Sequence, residues 1–232
     1  MTTESEFADF ENLEQLQERA RDRVTRSAFD YVAGGAGDER TLRANRSAYQ
    51  NWRIRHRVLR DVSRRDPSTR VLGQEVDFPV LVAPTAFHRL MHDRGEVATA
   101  RGTSDAGTLF VASTLATRSL EDIAEASTGP RWFQLYIYRD RELTESLVNR
   151  AEEAGYQALV LTVDSPVWGR RERDIRNGFT LPEGMGLANF EDLEQESLPA
   201  EGSGVNGLAE YVSQQLDPSL TWEDVEWLVD RT

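Results

Sequence analysis

Between Phe10 and Tyr31 the apolar residues fall at Leu13, Leu16, Ala20, Val24, Ala28 and Tyr31, the spacing of one helical face, and predict a helix over 10–31. The run Ala33-Gly34-Gly35-Ala36-Gly37 breaks it, and a second helix is expected from about Asp38 to Trp52. The stretch from Thr69 to Pro79 reads as a small hairpin turning at Gly73–Gln74. From Pro79 onward short apolar runs alternate with helical segments: strands at 79–86, 108–113, 131–138 and 156–164, and helices at 95–107, 119–127 and 141–155. Four strands in this rhythm, roughly 25 residues apart, predict a parallel sheet with helical crossovers. The chain therefore divides into a helical and hairpin preamble over 1–78 and an α/β region over 79–232. Within the latter a long, mobile loop is expected over about 165–205, followed by helices at about 207–216 and 221–230.

The strands separate their faces by chemistry. In 131–138, alternation places Phe133, Leu135 and Ile137 on one side and Gln134, Tyr136 and Tyr138 on the other. In 156–164, Leu159, Leu161 and Val163 share one side, while Thr162 and Asp164 share the other. Helices cover the outside of such a sheet, so the apolar set faces them and the polar set points inward near the C-terminal strand ends. Barrel interiors favour branched aliphatics, and active sites lie at that end. Two neighbouring strands that each place polar groups there read as a ligand site. The plain alternative is a buried polar pair satisfied by neighbouring backbone. No strand is followed by a Gly-x-Gly-x-x-Gly turn, so a dinucleotide fold lacks its fingerprint.

Composition narrows the function classes. The net charge is −13, with 40 Asp and Glu against 27 basic residues, all of them Arg. That balance speaks against nucleic acid, which wants a basic stripe, and against an anionic membrane surface. An excess of carboxylates with Arg and no Lys resembles proteins of salt-loving organisms; compositional drift in a GC-rich genome gives the same bias. Cysteine is absent, which excludes disulfides and thiolate sites. The polar start lacks the apolar core of a signal peptide, and no apolar run approaches the ~18 residues of a membrane span, so a soluble cytoplasmic protein is expected.

The runs FDYVAGGAGDE, VLVAPTA, His92-x-x-Gly95-Glu96, FQLYIY, LTVDSP and GRRERDIRNGF stand in the order seen in FMN-dependent 2-hydroxy-acid oxidases and dehydrogenases. The chain resembles that family, which includes glycolate oxidase, lactate oxidase, mandelate dehydrogenase and hydroxymandelate oxidase, from about residue 10 to 232. The resemblance implies a (β/α)8 TIM barrel, present here as about its first four β-α units, with FMN at the C-terminal mouth. It places Pro84, Thr85 and Ala86 against the flavin ring and makes Ser113, Gln134 and Thr162 hydrogen-bond partners of that ring. It assigns the substrate carboxylate to Tyr31 and Arg171 and the 2-hydroxyl to Tyr136. Asp164 would orient a catalytic His. Read without the resemblance, Tyr31 is a core aromatic at a helix end, and Arg170 and Arg171 are a solvated pair.

The family's catalytic His, a Lys near the flavin and the phosphate-gripping segment have no counterpart among these residues. His56, His88 and His92 stand at positions the family does not use for proton transfer. No metal site is expected. The expected activity is FMN-dependent oxidation of a small 2-hydroxy acid to the 2-oxo acid, incomplete in this chain alone. Its complement would be a missing C-terminal half, and members of the family often form homotetramers. The alternative is a truncated, non-catalytic half-barrel. A Schiff-base aldolase on the same fold needs a Lys, and the chain has none.

Overall fold

The computed structural model describes residues 10–165, 167–190 and 215–232. The residues form two compact units, the first running through Asn51 and taking in Gly169–Phe179, the second comprising Trp52–Trp168 and Thr180–Thr232.

In the first unit the helix expected over 10–31 is two helices, α1 (Leu13–Arg21) and α2 (Arg26–Ala33). The break lies at Thr25, whose hydroxyl accepts the Ala28 N–H at 3.2 Å and starts a new helix inside an unbroken apolar rhythm. α3 spans Arg40–Ser47 and tightens into a 3-10 turn at Ala48–Asn51. A short helix from the expected loop, α7 (Glu172–Asn177), packs on α2. Gly34 closes α2 with the Asp30 carbonyl so near that a Cβ would meet it at 2.5 Å. Two ion pairs and a hydrogen bond tie α2, α3 and α7 together: Arg173 reaches Glu39 at 2.8 Å and Asp30 at 3.5 Å, and the Asn177 amide donates to Asp30 at 2.8 Å.

The second unit opens with the antiparallel hairpin of β1 (Thr69–Val71) and β2 (Gln74–Val76). Its turn residues are Leu72 and Gly73, both left-handed (φ 44° and 81°), one position earlier than expected. The expected strand at 79–86 is reduced to one parallel bridge, Val82 to Phe110, because Pro79 and Pro84 cannot donate to a ladder. Three parallel strands follow in order: β3 (Phe110–Ser113), β4 (Arg131–Leu135) and β5 (Leu159–Leu161). Their crossovers are α4 (Glu96–Asp105) before β3, α5 (Leu120–Glu125) and α6 (Arg141–Glu153). α8 (Trp222–Arg231) is the helix expected near 221–230, started by a Thr221–Asp224 capping box. The helix expected over about 207–216 falls largely outside the described residues.

The sheet is layered along the strand direction. On the inward face the N-terminal layer is apolar: Val111, Trp132 and Val160 pack with Val76 of the hairpin, which closes that end. The outward face carries Phe133, Leu135 and Ile137, all buried, and Leu120 and Ile123 of α5 and Leu147, Val148 and Ala151 of α6 are buried as well. One layer further along the strands, the inward residues turn polar.

Candidate active site

Ser113 on β3, Gln134 on β4 and Thr162 just past β5 form that polar layer. Ser113 pairs with Gln134 in the sheet register. The Gln134 side-chain carbonyl accepts the Ser113 hydroxyl at 3.3 Å and the Thr114 N–H at 3.1 Å. Its amide donates to Thr162 Oγ1 at 3.0 Å. Thr114 adds a 2.5 Å bond to the Gln134 backbone carbonyl, and Ser113 Oγ accepts the Leu115 N–H at 3.1 Å. The three residues that the sequence reading gave to a flavin ring are thus one hydrogen-bonded chain across three adjacent strands. Gln134 is 2% exposed, and so buried an amide is tolerable only because its partners are supplied. The set is neutral and carries both donors and acceptors, which fits a ring edge of alternating carbonyl and N–H groups.

Two residues along each strand, past the polar layer, stand Tyr136 and Asp164. Burial pushes the Tyr136 phenol pKa up; a hydrogen bond with the Ser165 side chain opposes this, and the Asp164 charge adds to it. Asp164 itself is exposed, with Ser165 Oγ at 3.5 Å. Tyr136 is therefore a protonated hydrogen-bond donor at neutral pH. Tyr138, the next residue on that face, packs edge-on against Phe190 instead.

Pro84, Thr85 and Ala86 form the turn after the Val82 bridge. Thr85 is exposed, and Phe87 behind it is buried in the left-handed region at φ 61°. A bulky residue held there is strained, and such strain persists only where surroundings enforce it. Two groups do so. His88 is bonded to the Thr85 backbone and places Nδ1 2.9 Å from Thr99 Oγ1. The fully buried Glu96 accepts the His88 N–H at 3.0 Å, the Thr117 N–H at 2.9 Å and the Thr117 hydroxyl at 2.8 Å. It thereby joins the turn at 84–88 to the loop that follows Ser113. His88 fits the structural reading of a histidine outside the positions used for proton transfer; the Gly95-Glu96 pair of the motif was the visible signal for this brace.

In the first unit, Tyr31 and Arg171 stand together. The Arg171 guanidinium lies over the Tyr31 ring at 5.1 Å and donates Nη2 to the Tyr31 carbonyl. Tyr31 stacks on the buried Phe179 at 4.6 Å with planes 7° apart. The sequence reading of Arg171 as half of a solvated pair misses its neighbour Asp174, whose Oδ2 accepts Nε at 2.6 Å. An Asp three residues on from an Arg, on a helix too short to be predicted, left no usable signal. No group of His, Asp and Glu suited to a metal ion occurs among the described residues.

A family model described as FMN-dependent dehydrogenase matches residues 20–232. The chain is 49% identical over 221 residues to an L-lactate oxidase of Nostoc sp., covering 94% of this chain and 60% of that protein. It is 46% identical to glycolate oxidase 3 of Arabidopsis thaliana, covering 94% of this chain and 58% of that one. Among solved structures, a mandelate oxidase with (S)-4-hydroxymandelic acid matches with a TM-score of 0.88 at 40% identity, over 96% of this chain and 62% of that one. A mutant of the active chimera of (S)-mandelate dehydrogenase matches with a TM-score of 0.84 at 38% identity, over 95% of this chain and 62% of that one. The chain spans about three-fifths of the length of these relatives, and its sheet is the corresponding part of a (β/α)8 barrel. On the shared motifs, the parallel sheet and this likeness along nearly its whole length, the chain belongs to the FMN-dependent dehydrogenase family.

Proposed function

We propose that this chain supplies the flavin-ring side and part of the substrate side of an FMN-dependent 2-hydroxy-acid oxidoreductase. FMN, when bound, takes up the two electrons released as the 2-hydroxy acid becomes the 2-oxo acid. Ser113, Gln134 and Thr162 hydrogen-bond the ring, and the turn of Pro84, Thr85 and Ala86 lies against it. Tyr136 donates to the substrate hydroxyl, Asp164 orients the base, and Tyr31 and Arg171 take the carboxylate by a charge-assisted pair. The observation that carries this reading is the Ser113–Gln134–Thr162 chain at the C-terminal ends of three adjacent strands. The substrate is a small 2-hydroxy acid, and the whole protein works as a homo-oligomer in a salt-rich cytoplasm.

The residues assigned here to FMN address its ring, and none addresses its phosphate. The expectation is therefore weak flavin binding by the 232 residues, with FMN gaining nothing over lumiflavin, which lacks the phosphate. Quenching of flavin fluorescence measures both, and Gln134→Leu should remove it. Equal quenching by the wild type and Gln134→Leu, or no quenching by either flavin, sinks the assignment. The alternative is a non-catalytic half-barrel. It predicts no flavin response at any concentration.

A further inference from the structure

Asp174 takes no part in the reading above, yet its environment is unusual. Its side chain is 3% exposed. Oδ2 is bonded to Arg171, while Oδ1 is buried and has no hydrogen-bond partner among the described residues. A half-satisfied buried carboxylate is costly, and stability alone would favour a neutral residue there. What the arrangement achieves is a fixed guanidinium. Asp174 holds Nε, the Tyr31 carbonyl holds Nη2, and the Tyr31 ring, itself held by Phe179, covers one face. The Arg171 side chain stays 35% exposed, so a guanidinium anchored at Nε still reaches solvent. A free surface Arg must be ordered by each ligand it receives, and that ordering weakens binding; here it is already done.

We propose that Asp174 is a positioning residue that pre-orients Arg171 to receive a carboxylate. The proposal rests on the reading of Arg171 as the carboxylate ligand. Two other roles for Asp174 predict different signs. As a purely structural acid it would leave ligand affinity unchanged in the folded protein. As a mere negative charge beside the site it would repel an anion, so that its removal would tighten binding. Positioning predicts weaker binding on removal, against the electrostatic trend.

The test is calorimetric titration with oxalate, a dicarboxylate of the substrate's size. Asp174→Asn should weaken oxalate binding about tenfold, and Arg171→Met should abolish it. Asp174→Glu keeps the charge but shifts it by one methylene, and should also weaken binding. It keeps the question answerable if the Asn variant folds poorly. In the Arg171→Met background, thermal melts should show Asp174→Asn stabilising, because it discharges a buried carboxylate that has lost its partner. Unchanged or tighter oxalate binding in Asp174→Asn and Asp174→Glu, with binding lost in Arg171→Met, overturns the positioning role and leaves Arg171 as ligand. Oxalate binding absent from the wild type, or indifferent to Arg171→Met, overturns the reading of Arg171 and this proposal with it.

Discussion

His88 shows how a residue can matter without doing the chemistry. Burial pushes its pKa down; the nearby Glu96 charge and the bond to the Thr85 backbone oppose that shift. The folded state therefore favours neutral His88, whereas the unfolded chain takes up a proton near pH 6.5. Stability should be fully held above that value and fall as the pH drops below it. Thermal melts of the wild type and His88→Gln across pH 5–8 test this, with the wild type losing more on the acid side. Parallel curves would mean that the proton is bound equally in both states. For the assigned chemistry, Tyr136→Phe and Asp164→Asn in the whole enzyme should each slow hydroxy-acid oxidation by about 10²-fold with flavin content unchanged. Loss of flavin instead would move both residues into cofactor binding. That Gln134 and Thr162 share the inward face was legible because two strands each put a polar residue there; their bond to each other was not. The contact of Glu96 with Thr117 was not, since its partner comes from another segment, and that of Asp174 with Arg171 was not, since it forms on a helix too short to be predicted.

At the scale of elements, the order of helices and strands from residue 79 follows directly from the alternation of apolar runs. The strand at 79–86 survives only as a bridge at Val82, because its prolines remove the donors that a ladder needs. The region expected as a loop from 165 holds α7 and, at Ala188–Phe190, a 3-10 turn that docks on the barrel. Asn189 makes that docking. Its side chain accepts the Leu120 N–H at 3.0 Å and donates to the Thr114 carbonyl at 3.0 Å, while its backbone carbonyl accepts Arg150 at 2.9 Å. Asn189→Ala strands the Leu120 N–H in a fully buried site, at a cost of roughly 1–3 kcal/mol. Urea unfolding should show the midpoint fall with an unchanged slope. A shift below a few tenths of a kcal/mol would mean that water replaces the amide there.

For the molecule as a whole, charge dominates the surface. A net −13 on 232 residues is self-repulsive, and exposed pairs such as Arg46–Glu14 and Arg70–Glu75 offset little of it. Raising KCl from about 0.1 to 1 M shortens the screening length from roughly 10 to 3 Å. The melting temperature should rise across that range. A fall would show that ion pairs, such as those of Arg173 and of Arg141 with Asp217 and Asp224, outweigh the repulsion. No helix among the described residues is long and apolar enough to cross a membrane.

The sequence by itself determined the order of the α/β elements from residue 79 and the two faces of the strand at 131–135. Side-chain alternation and helical spacing are local properties, written residue by residue, and the family motifs sit on those same local runs. Only the tertiary structure decided which residues brace the site. Glu96 meets Thr117 across 21 positions, and Arg171 meets Tyr31 across 140. Contacts at such separations leave no period in the chain, because they arise from where crossovers and packed helices return the backbone.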